Sequence, residues 1–212
     1  EMCIRDSLYI LFDSDAINIS QLPPYPLTFS FSRQQIINDN WQYDPNTHEH
    51  LTWFKGDYCT ISFLLNHPQY NIAYTIEYDV DCNNWSTFFT HNLQAIHTHN
   101  PHLITTYLRS NIPLPTNTTL LPLHPNVEPQ WFNWQFQNFT YKELLGCYFP
   151  IIALSQKAAQ IIHPTLQHYK GFCEVTTPTI LYHNNLTILD LKLIYPLYNQ
   201  LIHKNILDFA RY

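Results

Sequence analysis

The chain has 212 residues, of which 45% are hydrophobic and 16% aromatic, enough for one domain with a substantial core. Only 12% are charged, and 10 basic against 16 acidic residues give a net charge of −6, so a nucleic-acid partner is not expected. No apolar run reaches the roughly 18 residues of a membrane-spanning helix, which leaves only peripheral membrane association open.

Glycine is scarce, and its positions exclude several nucleotide-binding motifs. The chain contains 3 glycines, at Gly56, Gly146 and Gly171. A dinucleotide fingerprint, a Walker loop and a nucleophile elbow each need at least two closely spaced glycines. A bound nucleotide would therefore be held without a glycine-rich phosphate loop.

The cysteines and glycosylation sequons bear on the compartment. The 5 cysteines are widely spaced and form no Cys-x-x-Cys pair, which predicts buried free thiols in a reducing, cytoplasmic environment. A Golgi or endoplasmic reticulum lumen is the alternative, if a signal anchor has been lost from the N-terminus. In that lumen, N-linked glycans could be attached at five Asn-x-Ser/Thr sequons, which begin at Asn18, Asn84, Asn117, Asn138 and Asn185.

The first seven residues look foreign to the domain. Residues 1–7 resemble a translated sequencing adapter and are left out of the fold prediction. We assign residues 8–212 to a single domain. Since its apolar pattern begins abruptly at Leu8, we expect that an N-terminal strand is missing.

The first half of the chain alternates strands and helices. We predict strands at 8–12 and 27–31, a short helix at 33–38 and an irregular aromatic surface insertion at 41–54. A further helix opens at Asp57, whose carboxylate suits a helix start.

The alternation continues through the second half. Residues 72–78 are almost continuously apolar, as in a buried central strand. The other predicted elements are, in chain order, a helix at 85–96, a strand at 103–108, a proline-dense irregular segment at 111–130, a strand at 148–154, a helix begun by Ser155 and bent at Pro164, a helix at 174–184, an apolar run at 186–191 and a helix at 194–209. This order predicts an α/β fold with a mainly parallel sheet flanked by helices.

The sharpest chemical feature is an acidic segment at the end of strand 72–78. Glu77, Asp79 and Asp81 lie within five residues, and period-two alternation places them on one side of an extended chain. Ligands of open α/β sheets bind outside the carboxyl ends of strands. Clustered carboxylates repel one another unless a cation lies between them, and Mg²⁺ or Mn²⁺ commonly links such carboxylates to phosphates. The segment therefore predicts a metal–diphosphate site.

Several segments in this order resemble a poorly characterised group of glycosyltransferases with the GT-A fold, which is Rossmann-like. The segments that carry the resemblance are Gly56-Asp57-Tyr58, Phe63-Leu64-Leu65, His67-Pro68, Tyr74-Thr75-Ile76-Glu77-Tyr78-Asp79-Val80, Trp85-Ser86-Thr87-Phe88-Phe89, His124-Pro125, Trp131-Phe132-Asn133-Trp134, Phe149-Pro150-Ile151-Ile152-Ala153-Leu154-Ser155, Gly171-Phe172-Cys173-Glu174-Val175 and Thr177-Pro178-Thr179.

The resemblance implies metal-dependent transfer of a sugar from a nucleotide-diphosphate donor to a glycan or another hydroxyl acceptor. The acidic segment would hold Mn²⁺ or Mg²⁺ and the donor diphosphate, with Asp57 facing the nucleoside. Glu174, at a helix start, would be the base that deprotonates the acceptor hydroxyl. Trp131 and Trp134 would offer aromatic faces on which an acceptor sugar stacks.

The ligating pair in the acidic segment stays open. Many members of the group follow the motif with an aromatic residue or arginine and then glycine, whereas this chain has Asp81-Cys82-Asn83-Asn84. Either Glu77 with Asp79 or Asp79 with Asp81 would bind the cation and the donor diphosphate.

Two other functions remain as alternatives. A catalytically silent carbohydrate-binding or scaffold protein on the same fold would bind glycans without metal. A metal-dependent phosphoesterase would use the same carboxylates but needs a second metal-facing cluster. The imidazoles of His97, His99 and His102 do not share a helix face and make a poor transition-metal site.

Overall fold

A computed structural model of the chain describes residues 9–16, 27–77, 80–82, 84–110, 143–195 and 201–203. The strands in this part are β1 (Tyr9–Asp13), β2 (Leu27–Phe31), β3 (Ile72–Ile76), β4 (Val80–Cys82), β5 (Leu103–Ser110), β6 (Leu145–Ser155), β7 (Ile188–Asp190) and β8 (Leu201–His203). The helices are α1 (Arg33–Asn38), a 3₁₀ helix (Pro45–His50), α2 (Leu51–Phe54), α3 (Asp57–Asn66), α4 (Trp85–His99), α5 (Gln156–Thr165), α6 (Cys173–His183) and α7 (Leu191–Ile194). The α/β class is confirmed.

The largest sheet is mixed. Its strand order is β3-β6-β5-β7, with β6 antiparallel to both β3 and β5 and with β7 parallel to β5. Three of the four strands therefore run in one direction, and β6 runs against them. The predicted mainly parallel, GT-A-like sheet is not confirmed. The alternation of strands and helices along the chain does not determine the position or the direction of each strand in the sheet. β6 enters between β3 and β5 after a long connection.

Two further strand pairs lie outside this sheet. β1 pairs in parallel with β2, and β4 pairs antiparallel with β8. The helix predicted over residues 194–209 is wrong for the described residues, since a strand begins at Leu201. Pro196 provides the reason, because the residue before a proline is driven to extended backbone. Tyr195 indeed has φ −115° and ψ 105°.

Two predictions of burial are also corrected. All five residues of β3 are half-buried, and β3 is an edge strand of the four-stranded sheet rather than a central one. The insertion at 41–54 contributes to the core, since Trp41 is 1% exposed and Leu51 fully buried. Aromatic density in that segment reflected packing rather than surface.

Helices cover both faces of the sheet. One apolar cluster joins one sheet face to α3, α5 and α6 and includes Ile61, Leu64, Leu103, Cys147, Leu154, Ile162 and Ile180. A second cluster joins the opposite face to α4 and α7 and includes Phe88, Ala95, Ile104, Ile151, Ala153 and Leu191. From Ile151 to Leu154, consecutive residues of β6 enter the two clusters in turn, as a strand buried on both faces requires.

Side-chain caps determine where three helices begin. Ser155 was predicted to cap the helix now identified as α5, and its Oγ accepts a hydrogen bond from the Ala158 amide at 3.1 Å. The Oγ of Ser32 accepts from the Gln35 amide ahead of α1, and Asn84 Oδ1 accepts from Thr87 ahead of α4. Each bond satisfies an amide that the helix leaves without a partner.

Candidate functional site

Three carboxylates mark the carboxyl-terminal edge of the four-stranded sheet. Glu77 directly follows β3 and is exposed, and Asp190 is the last residue of β7 and is buried. Glu174 lies in the first turn of α6, which packs on β6. This is the edge at which open α/β sheets bind ligands.

Glu174 is fixed against the middle of β6. Its Oε1 accepts a hydrogen bond from the Phe149 amide at 3.2 Å, and the side chain is half-buried. Its backbone oxygen lies 3.7 Å from the Sγ of Cys147, which donates to it. Two contacts with one strand therefore hold the start of α6.

Glu77 meets the same strand one residue further on. The register of β3 and β6 pairs Ile76 with Ile151, and the Glu77 amide donates to the Pro150 carbonyl at 2.9 Å. Phe149 and Pro150 are consecutive residues, so the contacts of Glu77 and Glu174 fall on neighbouring positions of β6. The acidic strand end and the predicted base thus converge on one point of the sheet.

The ladder between β5 and β6 is irregular beside this point. The register shifts between Ile104 and Thr106, and the hydroxyls of Thr105 and Thr106 both donate to the Tyr148 carbonyl at 2.9 Å. Tyr107 has a φ of 57°, a conformation that costs energy for a bulky side chain. Bulges and strained residues concentrate next to functional sites, where they redirect side chains.

Asp190 joins β7 to the distorted part of β5. One of its carboxylate oxygens accepts from the Leu108 amide and the other from the Lys192 amide, each at 2.8 Å. Burial raises the pKa of Asp190, and the two amide bonds oppose that rise. Sequence reasoning missed this residue, although an aspartate after a short apolar run is a recognisable strand-end signal.

Asp57 is fully buried behind the site. It is the first residue of α3, and its Oδ2 accepts a hydrogen bond from the Thr177 hydroxyl of α6. Desolvation raises the pKa of Asp57, against the hydrogen bond from Thr177 and the charge of Lys55. A ligand cannot reach this carboxylate in the present conformation, so its visible role is to join α3 to the helix that carries Glu174.

Lys55 is an unexpected second charge in this region. Its side chain is 1% exposed, and its Nζ donates to the Gly171 carbonyl at 3.0 Å. Burial lowers the pKa of Lys55, whereas the charge of Asp57 raises it. No sequence pattern distinguishes a buried lysine from the many exposed ones, which is why the prediction omitted it.

The described cysteines are buried free thiols, as predicted. Cys59, Cys82, Cys147 and Cys173 are all buried and unpaired by disulfides. Burial raises the pKa of Cys59 to about 11 and raises the pKa values of Cys147 and Cys173 well above the usual value of a thiol. Cys3 lies outside the described residues.

Several predicted site residues are not described. Asp79, Trp131 and Trp134 lie outside the described residues, and for Asp81 only the backbone, in β4, is described. Among the described residues, no group of three or more His, Cys, Asp or Glu side chains is placed to hold a metal ion. His102 instead contacts the Ser155 hydroxyl through its Nδ1 at 3.1 Å.

Within the described ranges, we find no helix with both the length and the hydropathy needed to cross a membrane. Comparisons with models of protein families, with curated proteins and with solved structures find no match to this chain.

Proposed function

We propose that this protein is a metal-dependent glycosyltransferase that transfers a sugar from a nucleotide-diphosphate donor to a hydroxyl group of a glycan or another acceptor. The observation that carries the proposal is the convergence of Glu77 and Glu174 on consecutive residues of β6. Sugar transfer requires the donor and the acceptor hydroxyl to be bound next to each other. The backbone amide of Glu77 and the carboxylate of Glu174 bond to consecutive residues of β6, so two acidic residues far apart in sequence lie close together in the fold.

The donor end of the proposed site is the segment that follows β3. Its three carboxylates, Glu77, Asp79 and Asp81, are hard oxygen ligands of the kind that Mg²⁺ and Mn²⁺ prefer. Either Glu77 with Asp79 or Asp79 with Asp81 would hold the ion. When bound, the ion would supply positive charge to the departing diphosphate.

The acceptor end of the proposed site is Glu174. An alcohol is a weak nucleophile until its proton is taken, and a positioned carboxylate can take that proton as the new bond forms. The hydrogen bond from the Phe149 amide orients the carboxylate. In this proposal Trp131 and Trp134 retain the acceptor-stacking role, whereas Asp57 positions α6 rather than touching the nucleoside.

The proposal includes a GT-A-like fold and a location in the cytoplasm. The shared direction of β3, β5 and β7 supports the GT-A-like fold, because it brings the carboxyl ends of three strands to one edge. The four buried free thiols support the cytoplasmic location, since such cysteines are usual in reducing compartments.

Calorimetric titration tests the proposal. UDP, GDP and CDP are added to the full chain in Mn²⁺ and, separately, in EDTA. We expect one nucleotide to bind only with the metal and Asp79→Asn to weaken that binding by at least about 10-fold, since even groups that merely support metal ligands cost about 10- to 100-fold. The control is Asp15→Asn, an exposed residue in the turn that follows β1.

Two outcomes contradict the proposal. A folded wild-type chain that binds none of the three nucleotides is not a nucleotide-sugar transferase of this type. Binding that is unchanged by EDTA and by Asp79→Asn removes the acidic segment from the donor site.

A further inference from the structure

Trp53, in α2, is an unusually exposed tryptophan. Its side chain is 61% exposed, whereas Trp41 is 1% exposed and Trp85 is half-buried. Tryptophan is highly buried on average, because its indole offers the largest apolar surface of any side chain. The exposure of Trp53 therefore invites an explanation that packing alone does not provide.

The indole of Trp53 is held on one side. Its ring centroid lies 4.8 Å from that of Phe54 and 5.1 Å from that of Phe172. Phe172 is only 3% exposed, so the indole forms part of its cover. Contacts with two rings restrict the orientation of the indole and leave its other side to solvent.

The same contacts place Trp53 beside the start of α6. Phe172 is the residue that precedes this helix, and Glu174 lies in the first helical turn. The link is reinforced two residues after Trp53, where the Nζ of buried Lys55 donates to the Gly171 carbonyl at 3.0 Å. Two attachments therefore join the α2 segment to the segment that carries Glu174.

Exposed polar residues precede Trp53 in the chain. Glu49 and His50 are the last two residues of the 3₁₀ helix that leads into α2, and both are exposed. A pyranose ring has the matching chemistry, with C–H groups on its face and hydroxyls at its edge. A protein partner would need an apolar patch of several hundred Å² rather than one indole.

We propose that Trp53 is the stacking platform for a pyranose ring of the acceptor, with Glu49 and His50 at its polar edge. The assignment of the ring to the acceptor rests on the proposed function, in which the donor occupies the opposite, β3 end of the site. The binding of a pyranose at Trp53 does not depend on it.

Fluorine NMR of the full chain labelled with 5-fluorotryptophan tests this site. The chain has 5 tryptophans, and Trp53→Phe identifies the Trp53 signal by its disappearance. The probes are the methyl glycosides of glucose, galactose, mannose and N-acetylglucosamine. We expect at least one to shift the Trp53 signal saturably without moving that of buried Trp41. A Trp53 signal unmoved by all four overturns the proposal.

Variants separate stacking from general surface effects. Trp53→Leu is expected to weaken binding of the active glycoside by about 3- to 10-fold, and Trp53→Phe to weaken it less because an aromatic face remains. Leu193→Ala alters a comparably exposed side chain, at 55%, and is expected to leave binding unchanged. Wild-type affinity in Trp53→Leu overturns the proposal.

The nucleotide titration on the same samples distinguishes the two proposals. If a nucleotide binds but no glycoside shifts the Trp53 signal, the pyranose platform is rejected and the glycosyltransferase proposal stands. A glycoside-dependent Trp53 signal without nucleotide binding rejects the transferase and keeps Trp53 as a carbohydrate site.

Discussion

Glu174→Gln is expected to lower the rate of sugar transfer by about 10²- to 10⁴-fold, the usual contribution of a positioned general base. Glutamine keeps an oxygen that can accept the Phe149 amide, so the anchoring contact with β6 survives. The amide cannot take a proton from the acceptor. The rate is measured with saturating sugar donors that carry the nucleotide identified by calorimetry.

The decisive comparison for Glu174→Gln is between rate and nucleotide affinity. A general base acts on the acceptor, so the affinity for the nucleotide with Mn²⁺ is expected to stay within about twofold of the wild type. Asp15→Asn serves as the control for rate. Transfer at the wild-type rate in Glu174→Gln would remove Glu174 from the chemistry.

Thr177→Val is expected to lower the free energy of unfolding by about 2–4 kcal/mol, because it deprives the fully buried Asp57 carboxylate of its hydroxyl donor. Thr176→Val is a matched control one residue earlier in α6. Thr176 is also buried, but its hydroxyl donates to the carbonyl of Phe172, the residue that precedes α6, rather than to a carboxylate. We expect the control to cost less than about 1 kcal/mol by urea denaturation.

The cost of Thr177→Val is also expected to depend on pH. Burial raises the pKa of Asp57 in the folded state, whereas the hydrogen bond from Thr177 lowers it. An acid with a raised folded pKa contributes most below its unfolded pKa, and that contribution is lost as pH rises through the folded value. Removing the Thr177 donor raises the folded pKa of Asp57 further, so the stability gap between variant and wild type should widen as pH rises through the folded pKa that Asp57 has in the wild type.

The change of the stability gap with pH has an upper limit, and the control variant should not show it. One group changes the free energy of unfolding by at most about 1.4 kcal/mol per pH unit. Thr176→Val should show a gap that is flat over the same range. A flat gap for Thr177→Val as well would mean that Asp57 does not respond to the hydroxyl of Thr177.

Local sequence signals predicted most of the secondary structure because they act over a few residues. Ser155 marks the start of α5 through one side-chain bond, and the apolar run at Ile72–Ile76 forms β3. The sequence did not predict the direction or position of β6, which depend on contacts between distant residues. It also missed that Pro196 would exclude a helix beginning near Ile194.

The candidate site shows the same division. The spacing of the acidic segment identified Glu77, and the resemblance to glycosyltransferases implied Glu174, but their convergence on Phe149 and Pro150 needs the register of β3 with β6. Asp57 was correctly placed at a helix start, yet its contact with Thr177 joins residues far apart in the chain. A local pattern carries no information about such a partner.

Hydrogen–deuterium exchange with the nucleotide that binds, with and without Mn²⁺, tests the convergence most directly. We expect peptides covering residues 72–77, 147–151 and 173–177 to gain protection together, and this gain to vanish in EDTA and in Asp79→Asn. A peptide covering α1 serves as the reference and should not change. Protection that appears in α1, or in only one of the three segments, would contradict a single site built around β6.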